Sequence, residues 1–251
     1  MLITQAQTKL QKSVPYGYLT AGLNLAPAHE LGLHDPRFLT RTVCAFAGAC
    51  ATTCLSHSGR NAMPDGLKAR LWRTTAFYTD RPAFLAQLTR EVAAFARKAR
   101  RLGLTPAFRP NLLSDLPLLA AHLATTVPDV QLYDYTKLPP SSWADIPRYH
   151  RTYSYSERTT PDDLRAAVAR GASIAVILDI PAHTHGPMPD TLTLHSVTLP
   201  VLDGDTHDLR FLDPATPHYI GLRYKAATLA GRRRLAAAVA SGLAVPAHRT
   251  V

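Results

Sequence analysis

The sequence contains little cysteine, few acidic residues and no long apolar run. Its 251 residues include three cysteines, and 28 lysines and arginines stand against 18 aspartates and glutamates. No segment has the length and apolar character of a membrane span, and the polar first residues, MLITQAQTKLQK, lack the apolar core of a signal peptide. An odd number of cysteines also argues against a disulfide framework. We therefore expect a cytoplasmic protein with no membrane partner.

Several common catalytic motifs are absent as well. The sequence has no glycine-rich phosphate-binding loop, no nucleophile elbow and no HExxH metal motif. Hydrophobic residues make up 46% of the chain and charged residues 18%, so there are enough apolar side chains to form a folded core. We expect a single α/β domain over residues 1–251.

The excess of basic residues gives a formal net charge of +10. Such a charge favours a nucleic acid or nucleotide partner, because neutralising phosphates releases counterions. A GC-rich genome would produce the same abundance of arginine, so both explanations stay open. The arginines proposed for a nucleic-acid surface are Arg97, Arg100, Arg101, Arg232, Arg233 and Arg234.

Short segments rich in β-forming residues alternate with helical segments along the chain. This alternation predicts a parallel sheet with helical crossovers, and we expect a partial or distorted TIM-like barrel of about seven mainly parallel strands. An open doubly wound sheet is the alternative. Asp80 is expected to start a long helix, and Thr160 to cap another that ends at Gly171. The predicted strands lie within residues 17–28, 105–111, 130–137, 149–157, 173–181, 197–204 and 219–225.

Polar side chains cluster where several of these strands end. The carboxyl ends of parallel strands meet at one edge, which forms the active-site face of such folds. Buried carboxylates there can act as general acids or bases, and lysines can hold an anionic substrate or a cofactor carboxylate. The predicted catalytic residues are Asp115, Asp134, Lys137 and Glu157. The predicted cofactor-binding residues are Arg109, Asn111, Ser114, Ser154, Ser156, Asp203, Asp205 and Lys225.

All the cysteines lie in one short segment, CAFAGACATTC, directly after the first predicted strand. Short loops carrying three thiolates bind iron-sulfur clusters, and three ligands leave one iron of a cubane open to substrate. Small residues between the cysteines allow the backbone to wrap closely around a cluster. The segment therefore predicts a 4Fe-4S cluster at Cys44, Cys50 and Cys54.

Two other interpretations of the cysteines stay open. His57 lies three residues after Cys54 and could complete a structural Cys3His zinc site. Free cysteines also pack well as small buried residues.

The sequence resembles a little-characterised family of phage and plasmid proteins catalogued as gene product eighty-eight. The resemblance extends over nearly the whole chain and implies a mobile-element origin without a defined activity. It is carried by the segments GYLTAGLNLAPA, CLSHSGR, ARLWRT, RPNLLSDLP, YDYTK, YSYSE and DGDTHDLRFLDP.

The layout is also similar to that of radical S-adenosylmethionine enzymes, in which a three-cysteine loop follows a strand of a partial barrel. That resemblance implies a 4Fe-4S cluster on Cys44, Cys50 and Cys54 whose open iron chelates S-adenosylmethionine. The cysteines here are separated by five and three residues, where the superfamily usually has three and two. The segment RPNLLSDLP stands in place of the superfamily's glycine-rich motif.

These observations together predict an iron-sulfur enzyme with radical or reductive chemistry on a nucleotide or nucleic-acid-related substrate. Such chemistry calls for an electron donor as a partner. The alternatives are a nonenzymatic nucleic-acid-binding protein with a structural zinc or cluster, and a sensor of redox state.

Overall fold

The computed structural model describes residues 1–5, 12–224 and 228–247. In these residues ten strands form one mixed sheet. The strands are β1 (Ile3–Thr4), β2 (Tyr18–Leu23), β3 (Thr105–Arg109), β4 (Gln131–Thr136), β5 (Tyr149–Ser154), β6 (Ile174–Pro181), β7 (Thr191–Leu194), β8 (Val197–Asp203), β9 (Tyr219–Tyr224) and β10 (Ala244–Val245). The α-helices are α1 (Glu30–His34), α2 (Cys50–Thr53), α3 (Pro64–Thr79), α4 (Arg81–Arg101), α5 (Pro117–Thr126), α6 (Pro161–Ala169) and α7 (Leu229–Ser241).

The centre of the sheet is a run of parallel strands in the order β2, β3, β4, β5, β6, β9 and β8. Antiparallel β1 lies beside β2 at one end, and antiparallel β7 beside β8 at the other. Short β10 pairs with β6 at Ile177 and Leu178. These residues follow Ile174 and Ala175, the β6 residues that pair with β5. The parallel strands are confirmed, but the sheet is not closed in the described residues, so a TIM-like barrel is not confirmed.

Helix α4 covers one face of the sheet with an apolar stripe. Phe84, Leu88, Val92 and Phe95 recur at helical spacing and are buried against the sheet in the same core as Phe108 of β3. The predicted start of this helix is confirmed, because Asp80 Oδ1 accepts a hydrogen bond from the Ala83 amide at 3.0 Å. None of the helices in the described ranges is long and apolar enough to cross a membrane.

Helix α6 begins as the sequence predicts. The Thr160 hydroxyl accepts a hydrogen bond from the Asp163 amide at 3.1 Å, and the Asp163 carboxylate accepts one from the Thr160 amide at 2.9 Å. This reciprocal pair satisfies two amides that a helix start leaves without partners. The helix connects β5 to β6, and its Leu164 is fully buried in the core that covers β6.

Residues 204–218, between β8 and β9, cross the opposite face of the sheet and are called the crossing segment below. Phe211 makes edge contacts with the rings of Tyr18 in β2 and Tyr133 in β4, at centroid distances of 5.1 and 5.3 Å. His207 contacts Tyr16 in the same way at 4.7 Å. The crossing segment therefore packs over β2 and β4 from the far side of the sheet order.

Candidate functional site

A cavity of about 350 Å³ opens at the carboxyl edge of the parallel strands. It is lined by residues that end or follow β3, β4, β5 and β9, by the loop after β2, and by the crossing segment. The volume falls within the range of sites that bind small molecules. This position agrees with the sequence prediction that polar strand ends would meet at one edge.

The three cysteines approach the cavity from one side. Cys44 lies in the loop after α1, Cys50 begins α2 and Cys54 directly follows α2, and all three residues line the cavity. Helix α7 and the residues just after it pack behind this segment, with Ala238 of the helix and Leu243 beyond it in the same cluster as Cys50. The structure thus brings together the three residues predicted as ligands.

The three thiols differ in their surroundings. Cys44 Sγ donates a hydrogen bond to the Leu113 carbonyl at 3.2 Å, and burial raises its pKa to about 12. Cys54 donates a hydrogen bond to Cys50, which lowers the pKa of Cys50, and Lys137 acts in the same direction. The same hydrogen bond, together with burial, raises the pKa of Cys54. The positive charge of Lys137 therefore acts electrostatically on the thiols of Cys44 and Cys50.

Glu157, predicted as a catalytic acid or base, holds the cysteine loop in place. Its Oε1 accepts a hydrogen bond from the Ala49 amide at 2.8 Å, next to Cys50. Gly48 lies so close that an added Cβ would be 2.0 Å from Oε1, and its φ of +48° is in the left-handed region. Glycine meets both requirements at this position. Glu157 does not line the main cavity, and its Oε2 is buried without a partner in the described residues.

Asp115 and Lys137 line the cavity as predicted for catalytic residues. Asp115 follows β3, and its carboxylate accepts hydrogen bonds from the Thr136 hydroxyl and the Lys137 amide, both at 2.8 Å. Burial raises the pKa of Asp115. The pair of hydrogen bonds fixes the end of β4, from which the Lys137 side chain reaches the cavity.

Arg109 also lines the cavity, but its charge is neutralised. Its Nη1 donates to Asp208 Oδ2 at 2.9 Å, and its guanidinium lies 4.5 Å from the ring centroid of Tyr135. Tyr135 donates its hydroxyl to the other oxygen of Asp208 at 3.1 Å. This group ties β3 and β4 to the crossing segment, so its contribution is architectural.

Asp134, the fourth predicted catalytic residue, lies outside the cavity lining. It is buried and accepts hydrogen bonds from the Asn111 amide and side chain, both at 2.9 Å, and from the Tyr149 hydroxyl at 3.1 Å. Burial raises the pKa of Asp134 to about 7. Asn111 lines the cavity, and its Oδ1 accepts from Ser114 and Leu116. Asp134 therefore orders the loop that carries Asn111.

Arg223 is a residue of the site that the sequence analysis missed. Its guanidinium lines the cavity and binds Asp203 at 2.8 Å and Asp205 at 3.3 Å, and it also donates to the Gly186 carbonyl. The signal was present, because Arg223 stands next to the end of the last parallel strand. Asp205 lines the cavity as predicted, whereas Asp203 does not.

The other predicted residues fall into three groups. Ser114 and Ser154 line the main cavity. Ser156 lines a smaller cavity of about 120 Å³, which shares Phe46 and Lys137 with the main one. Lys225 lies outside the described residues.

The zinc alternative stays a prediction. No group of three or more His, Cys, Asp or Glu side chains in the described ranges could hold one ion, and this applies equally to the three cysteines with or without His57. His57 is not part of the cavity lining, and its pKa is lowered by desolvation and by nearby Arg234.

The arginines proposed to bind nucleic acid lie at opposite edges of the sheet. Arg100 near the end of α4 pairs with Asp129, which precedes β4, and so lies at the amino edge. Arg234 of α7 acts electrostatically on Tyr224, at the carboxyl end of β9. The two arginine groups therefore lie near different edges of the sheet, and nucleic-acid binding by them stays a prediction.

The fold and site define a mixed α/β protein with an open, mostly parallel sheet and a thiol-lined cavity at its carboxyl edge. A family model described as gene product 88 matches residues 1–240, and the chain belongs to that family. This confirms the resemblance seen in the sequence, while the similarity to radical S-adenosylmethionine enzymes is not supported. No curated protein and no solved structure matches the chain.

Proposed function

We propose that the protein binds an iron-sulfur cluster through Cys44, Cys50 and Cys54 and uses it in reductive or radical chemistry on a substrate held in the cavity. The observation that carries the proposal is that all three thiols line one cavity at the carboxyl edge. Active sites of parallel α/β folds form at that edge, where loops from several strands converge.

The number of thiols around the cavity supports a cluster rather than a single zinc ion. A zinc site needs four ligands, each about 2.3 Å or less from one point. A cubane distributes its three thiolates over three irons, so the sulfur atoms need not converge on one point. The described residues provide three thiols around one space, and His57, the fourth ligand of the zinc alternative, does not line it.

The residues around the thiols support chemistry on a bound molecule. When bound, such a cluster would supply electrons and one iron without a protein ligand. Lys137 would hold an anionic substrate, and Asp115, whose pKa is raised by burial, would exchange a proton with it. Apolar side chains such as Leu113, Ile177 and Leu222 would limit access of water.

S-adenosylmethionine is our proposed co-substrate for the radical form of this chemistry, with a nucleotide-related molecule as substrate. The segment that stands in place of a glycine-rich motif contributes Arg109, Asn111 and Ser114 to the cavity wall. Its position supports binding of a cofactor at the cavity. Equilibrium dialysis of S-adenosylmethionine against reconstituted protein tests this part separately.

The cluster itself is tested by reconstitution with iron and sulfide in the absence of oxygen. We expect the Cys44→Ala, Cys50→Ala and Cys54→Ala variants each to lose most of the bound iron, while His57→Ala retains it. Circular dichroism of the metal-free variants shows whether each one folds. Full iron binding by a folded cysteine variant, or loss of the metal in His57→Ala, would contradict the proposed ligand set.

A further inference from the structure

Lys137 is held at the junction of two cavities. Its amide is fixed by Asp115, and its side chain lines both the main cavity and the smaller one. Phe46, from the cysteine loop, lines both as well. The smaller cavity is also lined by the polar residues Ser156, Arg158 and Asp163. Lys137 therefore lies where a ligand bound in the main cavity would border the smaller, polar cavity.

The Lys137 ammonium makes no ion pair with a carboxylate of the described residues, although its charge acts over a longer distance on Asp115. Arg109 pairs with Asp208 at 2.9 Å, and Arg223 pairs with Asp203 at 2.8 Å. In contrast, no carboxylate of the described residues lies within ion-pair distance of the Lys137 ammonium. Half-buried cations without a partner are costly, and a bound anion removes that cost.

The remainder of the cavity wall defines the other part of the ligand. Besides Lys137, the wall contains the three thiols and apolar side chains such as Phe46, Leu113 and Ile177. Its other charged residues include Arg109 and Arg223, which are each paired with carboxylates. A wholly charged molecule would leave these apolar surfaces in contact with polar atoms. An anionic group attached to a less polar body satisfies both parts of the wall.

We propose that the cavity binds a small anionic molecule whose carboxylate or phosphate contacts Lys137 and whose less polar body lies beside the three cysteines. The inference rests on the proposed function only where it identifies this molecule as the substrate. The anion site itself depends on Lys137 and the cavity, with or without a bound cluster.

The cysteines allow a direct test on metal-free protein, because they report what reaches the cavity. Iodoacetate and iodoacetamide alkylate the same thiols and differ in charge, so the ratio of their rates measures attraction of an anion. Changes in thiolate fraction affect both reagents equally and cancel in the ratio. Peptide mass spectrometry after digestion assigns the rates to each cysteine.

We expect Lys137→Met to lower the iodoacetate-to-iodoacetamide ratio by about threefold to tenfold, as for loss of a nearby partly buried charge. Lys98→Met is the matched control, since Lys98 is exposed on α4 and bonds to Gln5, and we expect it to leave the ratio unchanged. Lys137→Arg should keep the wild-type ratio. An unchanged ratio in Lys137→Met would overturn the proposal, whether or not the protein binds a cluster.

Two competitors then distinguish the class of anion. Alkylation of wild-type protein by iodoacetamide is measured in acetate, inorganic phosphate and chloride at equal ionic strength. Stronger protection by phosphate assigns a phosphate ligand, and stronger protection by acetate assigns a carboxylate. Equal rates in all three salts would count against an anion site.

Discussion

Two regions at the carboxyl edge of the sheet carry basic residues, which are ion-paired in one region and unpaired in the other. Over β3 and β4, Arg109 is paired with Asp208 and covered by the crossing segment. Beside the cysteine loop, the thiols and Lys137 line an open cavity, and Lys137 has no ion-pair partner in the described residues. Charged residues at strand ends therefore support the architecture where they are paired and are available to a ligand where they are not.

The paired side should be the more sensitive to loss of a single charge. Asp208→Ala leaves the buried Arg109 guanidinium without its closest carboxylate, and we expect a loss of about 3 to 5 kcal/mol in the free energy of unfolding. Urea denaturation measures the change. If the variant does not fold, Asp208→Asn keeps the shape and should show a smaller loss. A change below about 1 kcal/mol would show that this pair is not architectural.

Asp134 should make the free energy of unfolding depend on pH. Burial raises its pKa to about 7 in the folded chain, whereas an aspartate in the unfolded chain has a pKa near about 4. The unfolded state thus releases its proton first as pH rises, so the stability present below about pH 4 is lost as pH approaches 7.

We therefore expect wild-type protein to lose up to about 4 kcal/mol of unfolding free energy between about pH 4 and pH 7, relative to Asp134→Asn. The measurement is urea denaturation of both proteins over that range. Other titrating groups cancel in the difference between the two. Parallel curves for wild type and variant would show that Asp134 does not titrate in this window.

On the cavity side, the contact between Glu157 and Gly48 should contribute a smaller amount. Gly48→Ala places a methyl group against the Glu157 carboxylate and forces a left-handed alanine, with an expected cost of about 2 to 3 kcal/mol. Gly59 is the matched control, because its φ is +56° and an added Cβ meets nothing within 4 Å. Gly59→Ala should cost about 1 to 2 kcal/mol, for the backbone alone.

The double variant Gly48→Ala with Glu157→Ala isolates that contact. Once the carboxylate is absent, the cost of Gly48→Ala should fall towards that of Gly59→Ala, since only the flexible Arg158 side chain, 3.2 Å from the added Cβ, stays close. Stability measurements on the four proteins of this cycle give the coupling between the two residues. Additive costs would show that Glu157 does not hold the loop.

The smallest effect is expected at an exposed pair. Arg100 and Asp129 lie 3.2 Å apart, with 47% and 71% of their side chains exposed. Asp129→Ala should therefore change the unfolding free energy by about 0.5 kcal/mol or less. The same substitution of aspartate by alanine at residue 208 should have a much larger effect. Equal losses at both positions would remove the distinction between buried and exposed pairs.

The sequence predicts the central strands because their β-forming residues are bounded by clear turns. It also correctly places the cysteines and Lys137 at the carboxyl edge of the sheet, since the carboxyl ends of parallel strands lie at one edge. Helix α5 was missed because its residues Pro117–Thr126 are mostly apolar and show no one-sided pattern. Pairing such as Arg223 with Asp203 depends on the register of β8 against β9, in which Asp203 lies opposite Gly221, and the sequence does not give that register.

The roles of Asp134 and Glu157 show the same limit. Both stand at strand ends and carry carboxylates, which predicts catalysis from residue type alone. In the structure their carboxylates accept hydrogen bonds from the Asn111 and Ala49 amides, and neither residue lines the main cavity. Such partners come from distant parts of the chain, so the sequence cannot show which carboxylates remain available.

The central claim is that the three thiols hold one iron-sulfur cluster at the cavity. Metal and sulfide analysis of protein purified without oxygen tests it most directly. The account predicts about four irons and four sulfides per chain, together with broad visible absorption. A colourless protein that carries about one zinc per chain, with no iron or sulfide, would contradict it.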